Sequence, residues 1–238
     1  MLFRLDKGQP NGRPFFISQN KVGLKSLNVF INHTVIPGLT WNPGLDPRFH
    51  GNDKRYYMEK QETTLKDAYL IKSKVFQDER GFFMETYSKQ KFDELGIKAD
   101  FVQDNHSMSV TKGVLRGLHF QNAPHTQAKL VRVTKGAVYD VIVDIRKNSP
   151  TYGKWEGFEL TANNFLSLFL PRGFAHGFVT LEDYTEFQYK CDNYYNVESE
   201  GGIIWNDPTL NIFWPIKDVI LSEKDKKHPE FKDFVSPF

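Results

Sequence analysis

The chain has 238 residues, 39% of them hydrophobic and 25% charged, with a formal net charge of +2 at pH 7. This is enough for one sizeable core or two small ones, and it lacks the basic excess that marks a nucleic-acid partner. The one cysteine, Cys191, excludes an intramolecular disulfide and fits a reducing compartment.

No run reaches the ~18 apolar residues of a membrane span, and the N-terminus lacks an unbroken apolar signal core. A soluble cytoplasmic protein with neither membrane nor nucleic-acid partner is therefore expected. The aromatic fraction of 15%, with 21 Phe and 10 Tyr, favours strands, because aromatic rings fit pleated, half-buried surfaces.

In chain order, residues 1–57 are rich in Pro, Gly and Asn (GQPNGRP, IPGLTWNPGLDPRFHGND) and show no sustained period of two or 3.6. They read as an N-terminal extension, poorly structured or not part of the native domain, with Met58 as an alternative start. Trp41, Phe49 and Tyr57 are more aromatic than disordered tracts usually are. A single domain is expected over 58–238. Within it, Asp78-Glu79-Arg80-Gly81 signals a turn into a strand over 82–87. A short helix is expected over 88–95, capped by Ser88 and stopped by Gly96. Strands follow over 129–133 and 137–145, with Tyr139, Val141, Val143 and Ile145 on one face, and then over 155–160, 165–170, 176–181, 186–191 and 202–205. Short strands separated by Gly, Pro, Asn and Asp point to an all-β antiparallel sandwich or barrel with few helices.

The segment GVLRGLHFQ (113–121) places Arg116 and His119 three apart between glycines that let the backbone bend and approach closely. Histidine is suited to moving protons near neutral pH, although a core histidine bonded to backbone is the plainer alternative. If Arg116 is buried it needs an anion, and its neighbours offer none, so a phosphate-bearing ligand suits it. Tyr189, in the alternating run EFQYKC, points to the apolar face with Phe187 and Cys191, either as a core tyrosine or as a proton donor. Cys191 itself reads as a buried strand thiol. Lys129 begins a strand, where lysine is normally a solvated edge charge; pointing inward, it would stabilise an oxyanion. Asp225 lies three residues after Ser222, a capping-box position, and only tertiary structure would make it the partner of His119. His119 and His176 raise the question of a metal, but position 121 is Gln and no third ligand is evident, so no metal site is expected. Dinucleotide, P-loop and nucleophile-elbow signatures are absent.

The segments DERGFFMETY, FVQDNHSMS, GVLRGLHFQ, AKLVRVTKGAVYDVIVDIRKNSPTYGKW, LPRGFAHGFVTL, YKCDNYYNVESEGGIIWNDP and LSEKD resemble, in the same order, those of the dTDP-4-dehydrorhamnose 3,5-epimerases. The resemblance spans about residues 65–225 and none of the first 57. It implies a cupin-type antiparallel jelly roll, a homodimer, and an isomerase that needs no metal or nicotinamide cofactor. The implied reaction inverts C3 and C5 of dTDP-4-keto-6-deoxy-D-glucose. Mapped by motif, His119 is the general base, Asp225 its orienting carboxylate and Tyr189 the general acid, while Lys129 faces the C4 carbonyl oxygen. Arg80, Glu85, Gln103, Asn105, Arg116, His176, Glu200 and Lys224 fall at positions contacting the dTDP-sugar, and Tyr195 at the aromatic that stacks on thymine. Ala128 departs from the family's usual Gly. Rival readings are a related cupin that inverts one centre or moves the ketone, and a non-catalytic sugar-nucleotide binding module.

Overall fold

The computed structural model describes residues 58–238 and, before them, only two-residue strands β1 (Phe30–Ile31) and β2 (Thr34–Val35), which pair antiparallel. The expectation for 1–57 otherwise lies outside the described residues. The chain divides into two compact units, Met1–Asp53 and Lys54–Phe238, and the second carries everything that follows.

That unit alternates short strands with turns. In order come β3 (Met58–Glu62), β4 (Tyr69–Ser73), β5 (Val75–Asp78), β6 (Gly81–Met84), the six-residue helix α1 (Lys89–Glu94), β7 (Gln103–Ser109) and β8 (Leu115–Gln121). Then come β9 (Lys129–Lys135), β10 (Ala137–Asp144), β11 (Trp155–Thr161), β12 (Leu166–Leu170), β13 (Phe174–Thr180), β14 (Thr185–Cys191) and β15 (Glu200–Gly202). Single 3-10 turns occupy Val197–Ser199, Asp225–Lys227 and Phe231–Asp233. The named ladders are all antiparallel. One sheet runs β11-β10-β13-β8-β15, the other β3-β4-β12-β9-β14-β7, and β5 and β6 form a separate hairpin. This is an antiparallel jelly roll.

Side-chain alternation builds the core between the sheets. Val131, Val133, Leu168, Leu170 and Phe187 project from the six-stranded sheet to meet Val138, Ile142, Phe158, Leu160, Phe174 and Phe178 from the other. Each such side chain, taken out of water, contributes about 1.5–3 kcal/mol. The opposite face of β10 is also apolar. Val141, Val143 and Ile145 pack with Leu118, Ile203 and Leu210 under a C-terminal cover that includes Trp214, Phe231 and Phe234. The outer face of the six-stranded sheet, with Ile71, Leu130 and Phe169, is covered by Phe92 of α1 together with Ile97. β10 therefore carries apolar residues on both faces, because both are covered.

Several expected boundaries shift for identifiable reasons. The strand expected over 82–87 ends at Met84, because the next residues carry the chain to Ser88, whose Oγ accepts from the Lys91 N–H at 3.4 Å and caps α1. The strand expected over 202–205 is instead β15, and it stops where the Ile204 N–H turns away to the Pro229 carbonyl at 2.9 Å. β9 runs on to Lys135, and Gly136 makes the turn at φ +75°. The approach of β8 to β13 depends on Gly117, at φ +138°, where a Cβ would lie 2.5 Å from Gly177 Cα.

Candidate active site

One end of the space between the sheets is lined by polar side chains rather than apolar ones. β8 contributes His119, aligned with His176 of β13 on one side and with Gly202 of β15 on the other. The facing sheet contributes Tyr189 and Cys191 from β14, with Val131 and Lys129 of β9 opposite them and Asn105 and Gln103 of β7 on their other flank. A cavity of about 120 Å³ lies between, bordered by His119, Lys129, Tyr189, Cys191, Gln103, Asn105, Tyr195 and Glu200. His119 and Tyr189 thus come from opposite walls.

The Nε2 of His119 is hydrogen-bonded to Asp225 Oδ1 at 2.6 Å, and Asp225 is 3% exposed. The bond fixes the tautomer: Nε2–H donates to the carboxylate, and Nδ1 keeps its lone pair. Asp225 does both things its sequence allows. Its backbone N–H donates to Ser222 Oγ at 3.1 Å, opening the 3-10 turn, while its carboxylate turns back to His119. Burial pushes the Asp225 carboxyl up, but the hydrogen bond from His119, the nearby His228 imidazole and Ser222 outweigh it and hold the group far below the usual carboxylate range. Burial lowers the His119 pKa, aided by the charges of Lys129 and Lys224 and opposed by Asp225, so the ring is neutral at pH 7.

On the facing wall, burial raises the Tyr189 pKa, so the phenol keeps its proton. Lys129 Nζ lies 5.8 Å from the centre of the Tyr189 ring. Its strand is interior, between β12 and β14, so Lys129 is not a solvated edge charge. Burial lowers its pKa, with Cys191, Asp140 and Glu200 opposing. Cys191, 1% exposed, is the buried strand thiol its alternation predicts, pushed up to about 11 by burial.

A polar network rims the cavity. Gln103 Nε2 donates to Asn105 Oδ1 at 3.1 Å, and Gln103 Oε1 accepts from the Tyr195 N–H at 3.0 Å. Glu200 accepts from Lys224 Nζ at 2.6 Å and from the Tyr195 hydroxyl at 3.3 Å. Burial pushes Glu200 up, but Lys224 outweighs it and keeps the carboxyl below its ordinary value.

Other expected positions are placed differently. Arg116 is exposed rather than buried and makes no ion pair among the described residues; its charge still reaches Tyr189, whose pKa it lowers. The argument that burial would force an anion onto Arg116 is therefore corrected: solvent reaches this side chain and hydrates its charge, so no protein anion is required. His176 is buried, with Nε2 held by both oxygens of fully buried Asp140 at 3.0 and 2.9 Å and its ring stacked on Phe187, and it does not line the cavity. Arg80 and Glu85 also do not line it. Arg80 sits on the β5–β6 hairpin paired with Asp78, and Glu85 pairs with Lys91 at 2.7 Å. Gln127 and His228 were not singled out from the sequence. Gln127 borders the cavity, and His228 packs edge-on to His119, their centroids 5.5 Å apart.

Comparison with known proteins agrees with this arrangement. Residues 62–233 match the family described as dTDP-4-dehydrorhamnose 3,5-epimerase. The chain is 53% identical over 173 residues to the Shigella flexneri enzyme of that name, covering 72% of this chain and 95% of the relative. It superposes with a TM-score of 0.71 and 55% identity on the Elizabethkingia anophelis enzyme of the same name, covering 74% and 97% of the two chains. The dTDP-6-deoxy-D-glucose-3,5-epimerase of Legionella pneumophila, in complex with dTDP-4-keto-L-rhamnose, superposes at 0.72 and 45% identity over 75% and 95%. More distant is a 3'-monoepimerase of Streptomyces bikiniensis in complex with dTDP-quinovose, at 0.68 and 30% identity over 71% and 86%.

Proposed function

This chain belongs to the dTDP-4-dehydrorhamnose 3,5-epimerase family, and from that premise we propose that it inverts C3 and C5 of dTDP-4-keto-6-deoxy-D-glucose, forming dTDP-4-keto-L-rhamnose for dTDP-L-rhamnose biosynthesis. One observation carries the assignment of its residues: a neutral imidazole backed by a carboxylate and a protonated phenol border one cavity from opposite walls.

Both reacting carbons lie beside the C4 ketone. Removing either proton leaves an enolate with its charge on the C4 oxygen. His119 Nδ1 takes the proton, and the Nε2–H bond to Asp225 stabilises the imidazolium that results. Lys129 donates to the enolate oxygen; donors of this kind are worth about 2.7–4 kcal/mol. Tyr189 returns a proton from the other wall, and that inverts the centre. The same pair then acts at the second carbon after the ring is re-presented. Gln103 and Asn105 border the sugar, Tyr195 stacks on thymine, and Glu200 and Lys224 close the rim. Arg116, exposed and unpaired among the described residues, is free to grip the diphosphate, so binding remote from the ring positions the carbons. His176 supports the wall beside His119 while Asp140 holds it.

The active assembly we propose is a homodimer. Arg80 and Glu85, expected to contact the nucleotide sugar, lie in the turn of the β5–β6 hairpin and just after it, and neither borders this chain's own cavity. That hairpin presents Phe82 and Phe83, 57% and 40% exposed, as an apolar surface for a second copy. No described helix is long and apolar enough to cross a membrane, and we place the enzyme in the cytoplasm. Inversion of one centre alone is the rival reading, since a monoepimerase shares the fold. The 45–55% identity to the three 3,5-epimerases compared above, against 30% to the monoepimerase, favours double inversion. Incubation with the keto-sugar nucleotide, followed by chemical reduction and NMR assignment of C3 and C5, decides between them. His119→Asn should abolish turnover and retain dTDP binding; retained turnover removes the base assignment.

A further inference from the structure

Asp225 does not serve His119 alone. His228, three residues further on, brings its Nε2 to 3.5 Å from the same oxygen, Oδ1, that His119 holds at 2.6 Å. That Nε2 is buried and has no hydrogen-bond partner among the described residues. It sits behind His119, in space that exists because residue 202 is glycine: a Cβ there would lie 2.4–2.5 Å from three atoms of the His228 ring. Gly202 is in turn the residue aligned with His119 across β8 and β15. The His228 ring is therefore built into the support of the dyad.

One ligand atom from each of His119, Asp225 and His228 lies within 4.8 Å of the other two. Zinc binds imidazole nitrogen and carboxylate oxygen at ~2.0–2.2 Å, which puts tetrahedral ligands ~3.3 Å apart. The separations of 2.6 and 3.5 Å bracket that spacing and the third is at most 4.8 Å, so rotation of the side chains about the Asp225 oxygen opens the site. Two imidazoles and one carboxylate suit zinc or another late first-row divalent ion and do not suit magnesium or calcium.

We propose that His119, Asp225 and His228 form a divalent-zinc site behind the catalytic imidazole, and that filling it switches the enzyme off. The switch rests on the reading of His119 as the base. Zinc takes the Nε2 lone pair of His119. The Nε2 proton leaves to solvent, and one is taken up at Nδ1, so the ring stays neutral. Nδ1 is then an N–H facing the sugar, with no lone pair to accept a proton from carbon. The metal occupies none of the cavity, so nucleotide-sugar binding persists while turnover stops. This differs from a metal that blocks the substrate, which would raise KM.

The test uses the full chain, freed of metal with EDTA and then dialysed. Zinc chloride is titrated by calorimetry and by assay of epimerisation, with dTDP affinity measured in parallel. One zinc per chain is expected, with kcat falling in proportion to occupancy, KM and dTDP affinity retained, and EDTA restoring the rate. His228→Gln and His228→Phe, each checked for native circular dichroism and compared with its own metal-free rate, should bind zinc at least ~100-fold more weakly, the upper range for loss of mere outer-shell partners. Cobalt in place of zinc should give a tetrahedral absorption band in the parent and not in these variants. Absence of stoichiometric binding, or equal binding in the His228 variants, overturns the site. Stoichiometric binding without inhibition overturns the switch. Failure of the base reading is separately visible, because His119→Asn would then still exchange substrate hydrogen with heavy water in the absence of any metal.

Discussion

Asp225→Asn tests the dyad most sharply, because the change is nearly isosteric and the 2.6 Å contact to His119 is buried. Two effects act together. The charge that stabilises the imidazolium is lost, and a hydrogen bond to a charged partner is worth about 1.5–3 kcal/mol. At about 1.4 kcal/mol per tenfold in rate, that is a 10- to 150-fold fall in kcat. An asparagine amide can also donate to Nε2, which moves the ring proton to Nδ1 and removes the base. Together they predict a fall of at least ~100-fold in kcat with KM little changed. The acid limb of the pH profile should move as well. Asp225 raises the His119 pKa, so removing it carries the residual activity to lower pH. The assay is the steady-state rate of dTDP-4-keto-L-rhamnose formation across pH 5–9, with thermal unfolding as the control for fold. A folded variant within threefold of the parent rate refutes the coupling of Asp225 to the base.

Tyr189→Phe leaves the base intact but removes the proton source on the opposite wall; in heavy water, deuterium should enter with retention, so exchange exceeds inversion, as NMR of recovered substrate would show. Equal loss of exchange and inversion contradicts the acid role. Lys129→Met should lower kcat by ~10²–10³-fold, the cost of one oxyanion donor, with KM changing less. Because burial lowers the His119 pKa below its ordinary 6.5, the base stays neutral at mildly acid pH, and the acid midpoint of kcat/KM should lie under 6.5. A midpoint above it contradicts the desolvated site. Phe187→Ala opens a cavity in the core and should cost about 3–5 kcal/mol, read from urea unfolding.

The strands that alternate plainly were legible from sequence. EFQYKC predicts the face shared by Phe187, Tyr189 and Cys191, and that face meets the core and then the cavity. β7 was not legible, because Gln103, Asn105 and Ser107 are polar on the side facing inward. A strand lining a polar cavity loses the apolar alternation by which strands are recognised, so the failure itself marks a functional wall. Asp225 was ambiguous because its pairing with a residue 106 positions away is invisible locally, whereas its cap with Ser222 is not. The burial assumed for Arg116 was not legible locally, because a Gly-bracketed apolar run suggests an interior position while solvent reaches this side chain in the fold. His228 carried no local signal. Its importance comes from Gly202, a strand glycine whose missing Cβ makes the space it occupies.

Turnover in heavy water, stopped early and analysed by NMR and mass spectrometry, tests the central claim most directly. A carbon acid deprotonated on one wall and reprotonated from the other must gain one solvent deuterium at C3 and one at C5, each with inverted configuration. Product formed without deuterium at either carbon would contradict the account.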